Sequence, residues 1–467
     1  MKMFDVIIVG AGPGGLFAGY KLAGKLSVAI FDMGKEIEKR RCPSNLSQSF
    51  CSKCNPCNMM YGIGGAGGLS DGKLNYPIND YPSSFTVGGD LIELVDRDYL
   101  MEKMEEVDDV FLRHGAPNEV YGTENNRINE FLRKANSAGI EFVPLKQRHV
   151  GSDELPSVIR SIEGYLKEKG VKIYTRKTVV DINPGERVVR LKSGERFSYE
   201  YLVIGVGRGG AKWLERWVKR YKIEVSERTK FIDVGVRVEV PSSIMDEITS
   251  VIYDPKLRIV TKRHDDYVRT FCTCPRGWVI REDYGDFCLV NGHSKAKEKT
   301  SNTNFALLGH YEFTEPFEEP NEWGRDLARI TTKLGGGNPI VQRLRDLRLG
   351  RRSTERRIAN NRLVQPTLKT AIPGDISLAY PGRVIDDIID ALEALDKVIP
   401  GVADDSTLLY APEIKFYSLK LKVSGEMETN IPNVYAIGDG AGISRGIVGA
   451  AVTGLIAAES ILKKAKT

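Results

Sequence analysis

The chain is short of several things, and each shortage excludes a class of protein. Its 467 residues include only seven cysteines, five histidines and four tryptophans, too few cysteines to staple a scaffold of this length by disulfides. They are also clustered, with Cys42, Cys51, Cys54 and Cys57 in one stretch and Cys272, Cys274 and Cys288 in another. An excess of one charge is missing too, since 67 Lys and Arg face 62 Asp and Glu for a net charge of +5. That balance argues against a dedicated nucleic-acid binder. No apolar run approaches the roughly 20 residues that cross a bilayer. The apolar N-terminal stretch carries Asp5 and runs into a glycine turn, unlike a signal peptide. The expectation is a soluble, cytoplasmic protein without a membrane span. Glutamine occurs only at Gln48, Gln147, Gln342 and Gln365, a bias like that of heat-adapted proteins.

Glycine is what the chain has in quantity, with 47 residues, and its placement carries the first functional signal. Phe4 to Val9 read as a buried strand, Gly10 to Gly15 as a turn, Leu16 to Leu22 as a helix and Ser27 to Phe31 as a second strand. Gly10-Ala11-Gly12-Pro13-Gly14-Gly15 satisfies G-x-G-x-x-G in the strand–turn–helix context that gives the motif meaning. Gly10 permits the tight turn, Gly12 lets backbone approach a pyrophosphate, and Gly15 lets helix and strand close together. The helix N-terminus then offers unpaired N–H groups and a positive dipole end to phosphates. Asp32 ends the second strand, where a carboxylate can accept hydrogen bonds from both ribose hydroxyls and would repel a 2′-phosphate. Together these features predict dinucleotide binding.

Further along, Cys42 to Lys73 is too irregular for core structure, and a loop of that length in a compact domain is usually functional. Leu91 to Ala138 looks helical, Pro156 to Lys169 forms an amphipathic helix, and Val171–Tyr174, Val179–Ile182, Val188–Leu191 and Tyr201–Ile204 read as a strand followed by a small meander. Short β-like runs from Phe231 to about His310 suggest an antiparallel sheet. The arginine-rich segment Leu344 to Arg362 reads as a solvated or interdomain face, or as a docking surface for an anion. A second glycine cluster, Gly205 to Gly210, follows a strand. It is either a second dinucleotide turn or, as favoured, a crossover between domains.

The far end of the chain distinguishes FAD from NAD. Thr429 to Asp439, TNIPNVYAIGD, resembles the C-terminal signature of FAD proteins in the glutathione-reductase-like superfamily. The resemblance implies that Asp439 binds the ribityl chain and that backbone from Gly446 and Ile447 to Val448 stabilises reduced flavin. Gly64-Gly65-Ala66-Gly67 with Ser70-Asp71-Gly72-Lys73, Gly235 to Glu239, Phe271-Cys272-Thr273-Cys274-Pro275 and Gly438 to Gly442 resemble one branch of that superfamily, a family of FAD-dependent dehydrogenases without a settled substrate. That likeness spans nearly the whole chain. It implies an α/β fold: a Rossmann-like FAD-binding domain assembled from discontinuous segments, with an inserted α+β substrate domain containing an antiparallel sheet. The expected divisions are 1–90, 151–221 and 425–467 for the FAD domain, 91–150 for a helical insertion and 222–424 for the substrate domain. The Gly64 to Lys73 loop would cover the flavin, Val179 would touch adenine through its backbone, Gly205 would border the cofactor and Arg41 would approach its phosphates.

The first cysteine cluster departs from that family pattern. Cys42-x8-Cys51-x2-Cys54-x2-Cys57 has the spacing of an iron–sulfur ligand set, with zinc, disulfides or inert thiols as the other readings. Cys272-x-Cys274 lacks the C-x-x-C spacing of disulfide reductases; its two thiols are the weak catalytic candidates, against a plain reading as small inward residues of a strand. The expected activity is an FAD-dependent oxidoreductase acting on a small-molecule substrate or electron acceptor. NAD(P)H is a candidate donor, and homo-oligomerisation is compatible with the sequence. Flavin monooxygenase or NAD(P)H-dependent reductase chemistry is the alternative, with a non-catalytic flavin-binding or RNA-associated protein more remote.

Overall fold

The computed structural model describes residues 2–43, 51–226 and 230–466. Two sheets organise them. In the first, the strands Lys172–Tyr174, Val28–Phe31, Lys2–Val9 and Arg196–Ile204 lie side by side and parallel. The far edge of Arg196–Ile204 is shared: its start pairs antiparallel with Val188–Leu191, leading to Val179–Asn183, and its end pairs parallel with Val434–Ala436. The short C-terminal strand therefore lands beside a strand more than 200 positions earlier in the chain. Val6 to Val9 and Val28 to Phe31 are buried, as expected of central parallel strands covered on both faces.

The helices Pro13–Leu22 and Gly446–Lys464 pack together on this sheet at glycines. A Cβ on Gly454 would lie 2.1 Å from the carbonyl oxygen of Gly14, so no larger residue permits that approach. The C-terminal helix corrects one expectation from sequence. At 19 residues with mean hydropathy 1.5 it is long and apolar enough to cross a membrane, but 78% of that window is buried inside the protein. Its alanines, glycines and apolar side chains pack in the core rather than against lipid.

The second sheet has eight strands in the order Ile372–Pro373, Ile340–Arg343, Leu408–Lys415, Phe231–Pro241, Asn302–Glu312, Tyr267–Cys274, Lys256–Val260 and Ile140–Val143. All pairings are antiparallel except that of the first two. Phe231–Pro241 shows why the sheet has two unlike faces. Val234, Val236, Val238 and Val240 join an apolar core, while the alternate positions Asp233, Arg237 and Glu239 are charged and equally buried. The segment 91–150 contributes more than helices. After Leu91–Leu94, Arg97–Arg113 and Asn125–Ser137 it supplies Ile140–Val143 to this sheet's edge, and it pairs Lys146–His149 with Lys73–Tyr76.

Candidate functional site: a glycine-walled cleft facing a charged sheet

The four glycine loops meet in pairs. Gly10 adopts φ +105°, and a Cβ there would lie 2.1 Å from the carbonyl oxygen of Gly205, whose own N–H donates to Val9 at 2.8 Å. The Gly64 N–H donates to Ala11 at 2.8 Å, and a Cβ on Gly65 would come within 2.8 Å of Gly12 Cα. Likewise a Cβ on Gly440 would come within 2.6 Å of Gly207. These contacts close the loops around one cleft of about 1830 Å³. Asp32 fastens the floor, its two carboxylate oxygens accepting N–H bonds from Ala11 at 2.9 Å and Gly34 at 2.8 Å.

The cleft fits a dinucleotide by its own geometry. The helices Pro13–Leu22 and Gly446–Lys464 both begin on it without a side-chain cap, leaving N-terminal N–H groups for an anionic or electron-rich ligand. A Cβ on Gly12 would meet nothing nearer than Gly65 Cα at 3.9 Å, and Cβ atoms on Gly207 and Gly446 would meet nothing within 4 Å. Asp439 accepts bonds from Ser444 Oγ at 3.1 Å and the Gly446 N–H at 3.2 Å. Burial raises its pKa, with Arg208 acting in the opposite direction.

Gly10, Gly12, Pro13, Gly14, Asp32, Gly65, Ala66, Gly67, Ser70, Asp71, Gly205, Gly438, Asp439, Gly446 and Ile447 all border the cleft. Gly15 and Gly64 stand behind it as close-packing residues, a Cβ on Gly15 falling 2.0 Å from the Gly10 carbonyl oxygen. Val179 is half-buried in its strand, away from the cleft wall. Arg41 is exposed and does not border it. The neighbouring Arg40 is the buried one. Its guanidinium donates to the carbonyls of Asn58 at 2.9 Å, Met59 at 2.9 Å and Ile63 at 2.6 Å, and burial lowers its pKa to about 10. It is a staple for the loop over the cleft.

Cys42, Cys51 and Cys57 border the cleft, whereas Cys54 does not. All four are free thiols, and they are not gathered at ligand distance; residues 44–50 between them lie outside the described residues. Among the described residues, the metal-ligand type atoms that do gather, within 4.8 Å of one another, belong to Asp71, Cys272 and Cys274. Of the arginine-rich segment, Arg345 and Arg348 pair with Asp405 at 3.9 and 3.3 Å, and Arg351 pairs with buried Asp346 at 2.9 Å. The turn at Gly205 leads through the helix Ala211–Tyr221 to an isolated bridge, Val225 with Leu421, and among the described residues it builds no second strand–helix–strand unit.

Opposite the glycine loops stands the polar face of the second sheet. The strand Tyr267–Cys274 bulges against Asn302–Glu312 between Phe271 and Cys274, and Cys272 takes φ +50°, a conformation L residues rarely adopt. Arg237 lies beneath, fully buried. It donates to Glu413 Oε2 at 2.9 Å, Asn304 Oδ1 at 2.8 Å and the Cys272 carbonyl at 3.1 Å. Lys73 Nζ sits 2.8 Å from Asp71 Oδ2, 3.5 Å from Cys272 Sγ and 3.6 Å from Cys274 Sγ. The Cys274 thiol beside Cys272, reinforced by Lys73 and Arg237, lowers the pKa of Cys272, while burial raises that of Cys274. Behind them Ser294 Oγ bridges Asp71 at 3.5 Å, His149 at 3.1 Å and Tyr253 at 3.1 Å; burial lowers the pKa of His149 to about 4.

Lys73 and Arg237 lie inside motifs that give them no role, and His149, Glu413 and Asp254, the last 4.0 Å from Lys73, stand in no motif. One signal existed: charges alternating with valines from Asp233 to Glu239 mark a strand with a buried polar face.

A family model described as FAD-dependent protein, C-terminal domain-like, matches residues 231–415. An uncharacterized protein of Clostridium beijerinckii is 26% identical over 98% of this chain and 80% of its own length. Among solved structures, glycine oxidase from Geobacillus kaustophilus aligns with TM-score 0.41 at 12% identity, covering 99% of this chain and 95% of its own. L-proline dehydrogenase from P. horikoshii aligns with TM-score 0.43 at 10% identity, covering 99% and 94%. Likenesses of that size leave the weight on the family model and the cleft. The family model describes an FAD-dependent protein, and the residues it matches supply one side of the cleft.

Proposed function

We propose that the cleft holds one FAD and that the enzyme passes electron pairs between it and a small-molecule substrate or acceptor. In this reading the Gly10–Gly15 turn and the helix behind it take the pyrophosphate, Asp32 the adenosine ribose, and Asp439 the ribityl chain. The backbone from Gly446 to Val448, at a helix N-terminus on the cleft, would stabilise negative charge on the reduced flavin. When bound, the flavin would supply the hydride and electron-pair chemistry. The chain's own part is to exclude water with the Arg40-stapled loop, orient the ring and hold charge beside it. A Rossmann-like FAD domain of the glutathione-reductase-like kind, with the second sheet as an inserted substrate domain, agrees with the parallel strand order and the charged sheet face. A cytoplasmic location belongs to the same proposal.

The observation that carries this reading is the pairwise closure of four glycine loops around one cleft that two uncapped helices face. The test is FAD content after reconstitution and desalting, measured on the released cofactor. Wild type should retain an equimolar amount, and Gly12→Val and Asp439→Ala should lose it. Wild type without FAD would overturn the proposal, and full retention by both variants would overturn the site. NADH or NADPH as donor is a second reading, checked by anaerobic stopped-flow bleaching of the flavin.

A further inference from the structure

We infer that Cys272 and Cys274 form a redox-active dithiol that reduces small disulfides, with Cys272 as the attacking sulfur and Cys274 as the resolving one. Three independent features of the structure carry this.

The first is division of labour. Cys272 is partly exposed and borders the cleft, whereas Cys274 is fully buried and does not. A disulfide substrate can therefore reach one sulfur only. The second is backbone geometry. Side chains two apart on a strand share a face, but at about 3.3 Å of rise per residue their Cα atoms lie near the upper limit for a disulfide. The bulge after Phe271 and the positive φ of Cys272 break that extension at the residue in question. Such strain in a non-glycine residue persists where surroundings enforce it. Here the Arg237 guanidinium holds the Cys272 carbonyl at 3.1 Å and Asp254 Oδ1 holds the Thr273 N–H at 2.8 Å.

The third is charge. The gathered ligands Asp71, Cys272 and Cys274 already contain a cation, because Lys73 Nζ lies 2.8 Å from the carboxylate and 3.5 and 3.6 Å from the sulfurs. A metal ion would have to displace a buried ammonium. Lys73 instead serves as counter-ion to a thiolate, with Arg237 adding to the field and Asp71, Asp254 and Glu413 limiting it. The Cys274 thiol donates to Asp71 Oδ2 at 3.6 Å, which holds it in place as a neutral thiol.

The chemistry balances within the named groups. The Cys272 thiolate attacks one sulfur of the substrate disulfide, forming a mixed disulfide and releasing the first thiolate, which takes a proton from solvent. Cys274 attacks Cys272, forming the Cys272–Cys274 bond and expelling the second substrate sulfur, which leaves as a thiol carrying the Cys274 proton. The substrate gains two electrons and the pair loses two; a dithiol reductant restores it.

The experiment uses the full-length protein, reduced with dithiothreitol, desalted anaerobically and mixed with hydroxyethyl disulfide. Alkylation and peptide mapping then report each cysteine separately, including Cys42, Cys51, Cys54 and Cys57. The peptide carrying Cys272 and Cys274 should become resistant to alkylation until reduced again, and Cys274→Ser should retain a mercaptoethanol adduct on Cys272. Lys73→Met should slow alkylation of Cys272 near neutral pH by about tenfold, with Lys73→Arg restoring most of the rate. An unchanged alkylation rate for both thiols after exposure, or a folded Cys274→Ser protein without the adduct, would overturn the inference. The readout needs no flavin, so its failure leaves the FAD proposal standing, and loss of FAD binding leaves this one standing.

Discussion

The two walls of the cleft are built from different materials. One is backbone: the loops at Gly10, Gly65, Gly205 and Gly438 approach within distances where a Cβ would collide, and they present N–H groups rather than side chains. The other is side chains: Lys73 and Asp254 line it as one charged pair, and behind them the pair Arg237 and Glu413 is fully buried in the second sheet. A backbone wall tolerates almost no added atom but is indifferent to pH. A charged wall tolerates a change of shape but not loss of one partner, because each charge was desolvated on the assumption of the other.

The sharpest break in this contrast should come from Gly10→Val. With φ +105° and a Cβ 2.1 Å from the Gly205 oxygen, it should lose more than about 5 kcal/mol or fail to fold, read by denaturant midpoint and soluble yield. On the other wall, Arg237→Met leaves the buried Glu413 carboxylate with Lys415 alone, at 2.6 Å, and should cost about 3 kcal/mol, with Arg237→Met/Glu413→Leu recovering part of it. Equal loss in single and double variants would show that packing rather than charge holds that wall. Arg40→Met leaves three loop carbonyls without their donor and should cost about 2–3 kcal/mol, with faster proteolysis between Cys51 and Ile63.

The smallest effect is expected where charge supports the backbone wall from behind. Glu459 on the C-terminal helix meets Lys103 at 2.7 Å, Lys21 at 2.8 Å and Tyr99 at 2.7 Å. Burial opposes its charge, but those hydrogen bonds outweigh it and lower its pKa from 4.5 to about 2. The unfolded chain then binds more protons between those values, so the stabilisation is complete above pH 4.5 and lost as pH falls toward 2. About 2 kcal/mol should disappear across that window and be absent from Glu459→Gln, as followed by denaturant midpoints against pH.

Legibility in the sequence follows the same division. The G-x-G-x-x-G turn and Asp32 could be read directly, because a tight turn and a close approach to backbone are local demands that glycine alone meets. The loop over the cleft was legible, but not its staple: Arg40 and Arg41 are adjacent and alike, and only the path of Asn58 to Ile63 determines which turns inward. By sequence, Cys272 and Cys274 read equally as weak catalytic thiols or as inward residues of a regular strand. The bulge that separates their roles depends on pairing with Asn304 and Ala306, some 30 residues away. The apolar C-terminal helix passes a composition test for a membrane span, and only the helix and sheet packed around it show where it belongs.

What the sequence determined by itself is the set of positions where backbone must be bare, since glycine's freedom is a property of one residue and its neighbours. What the tertiary structure decided is which bare loops meet and which charges face them. Asp71, Lys73, Arg237, Asp254 and Cys272 are up to 201 positions apart in the chain, yet they form one electrostatic group. Coulombic interaction acts through space, so nothing in their spacing along the chain could have announced it.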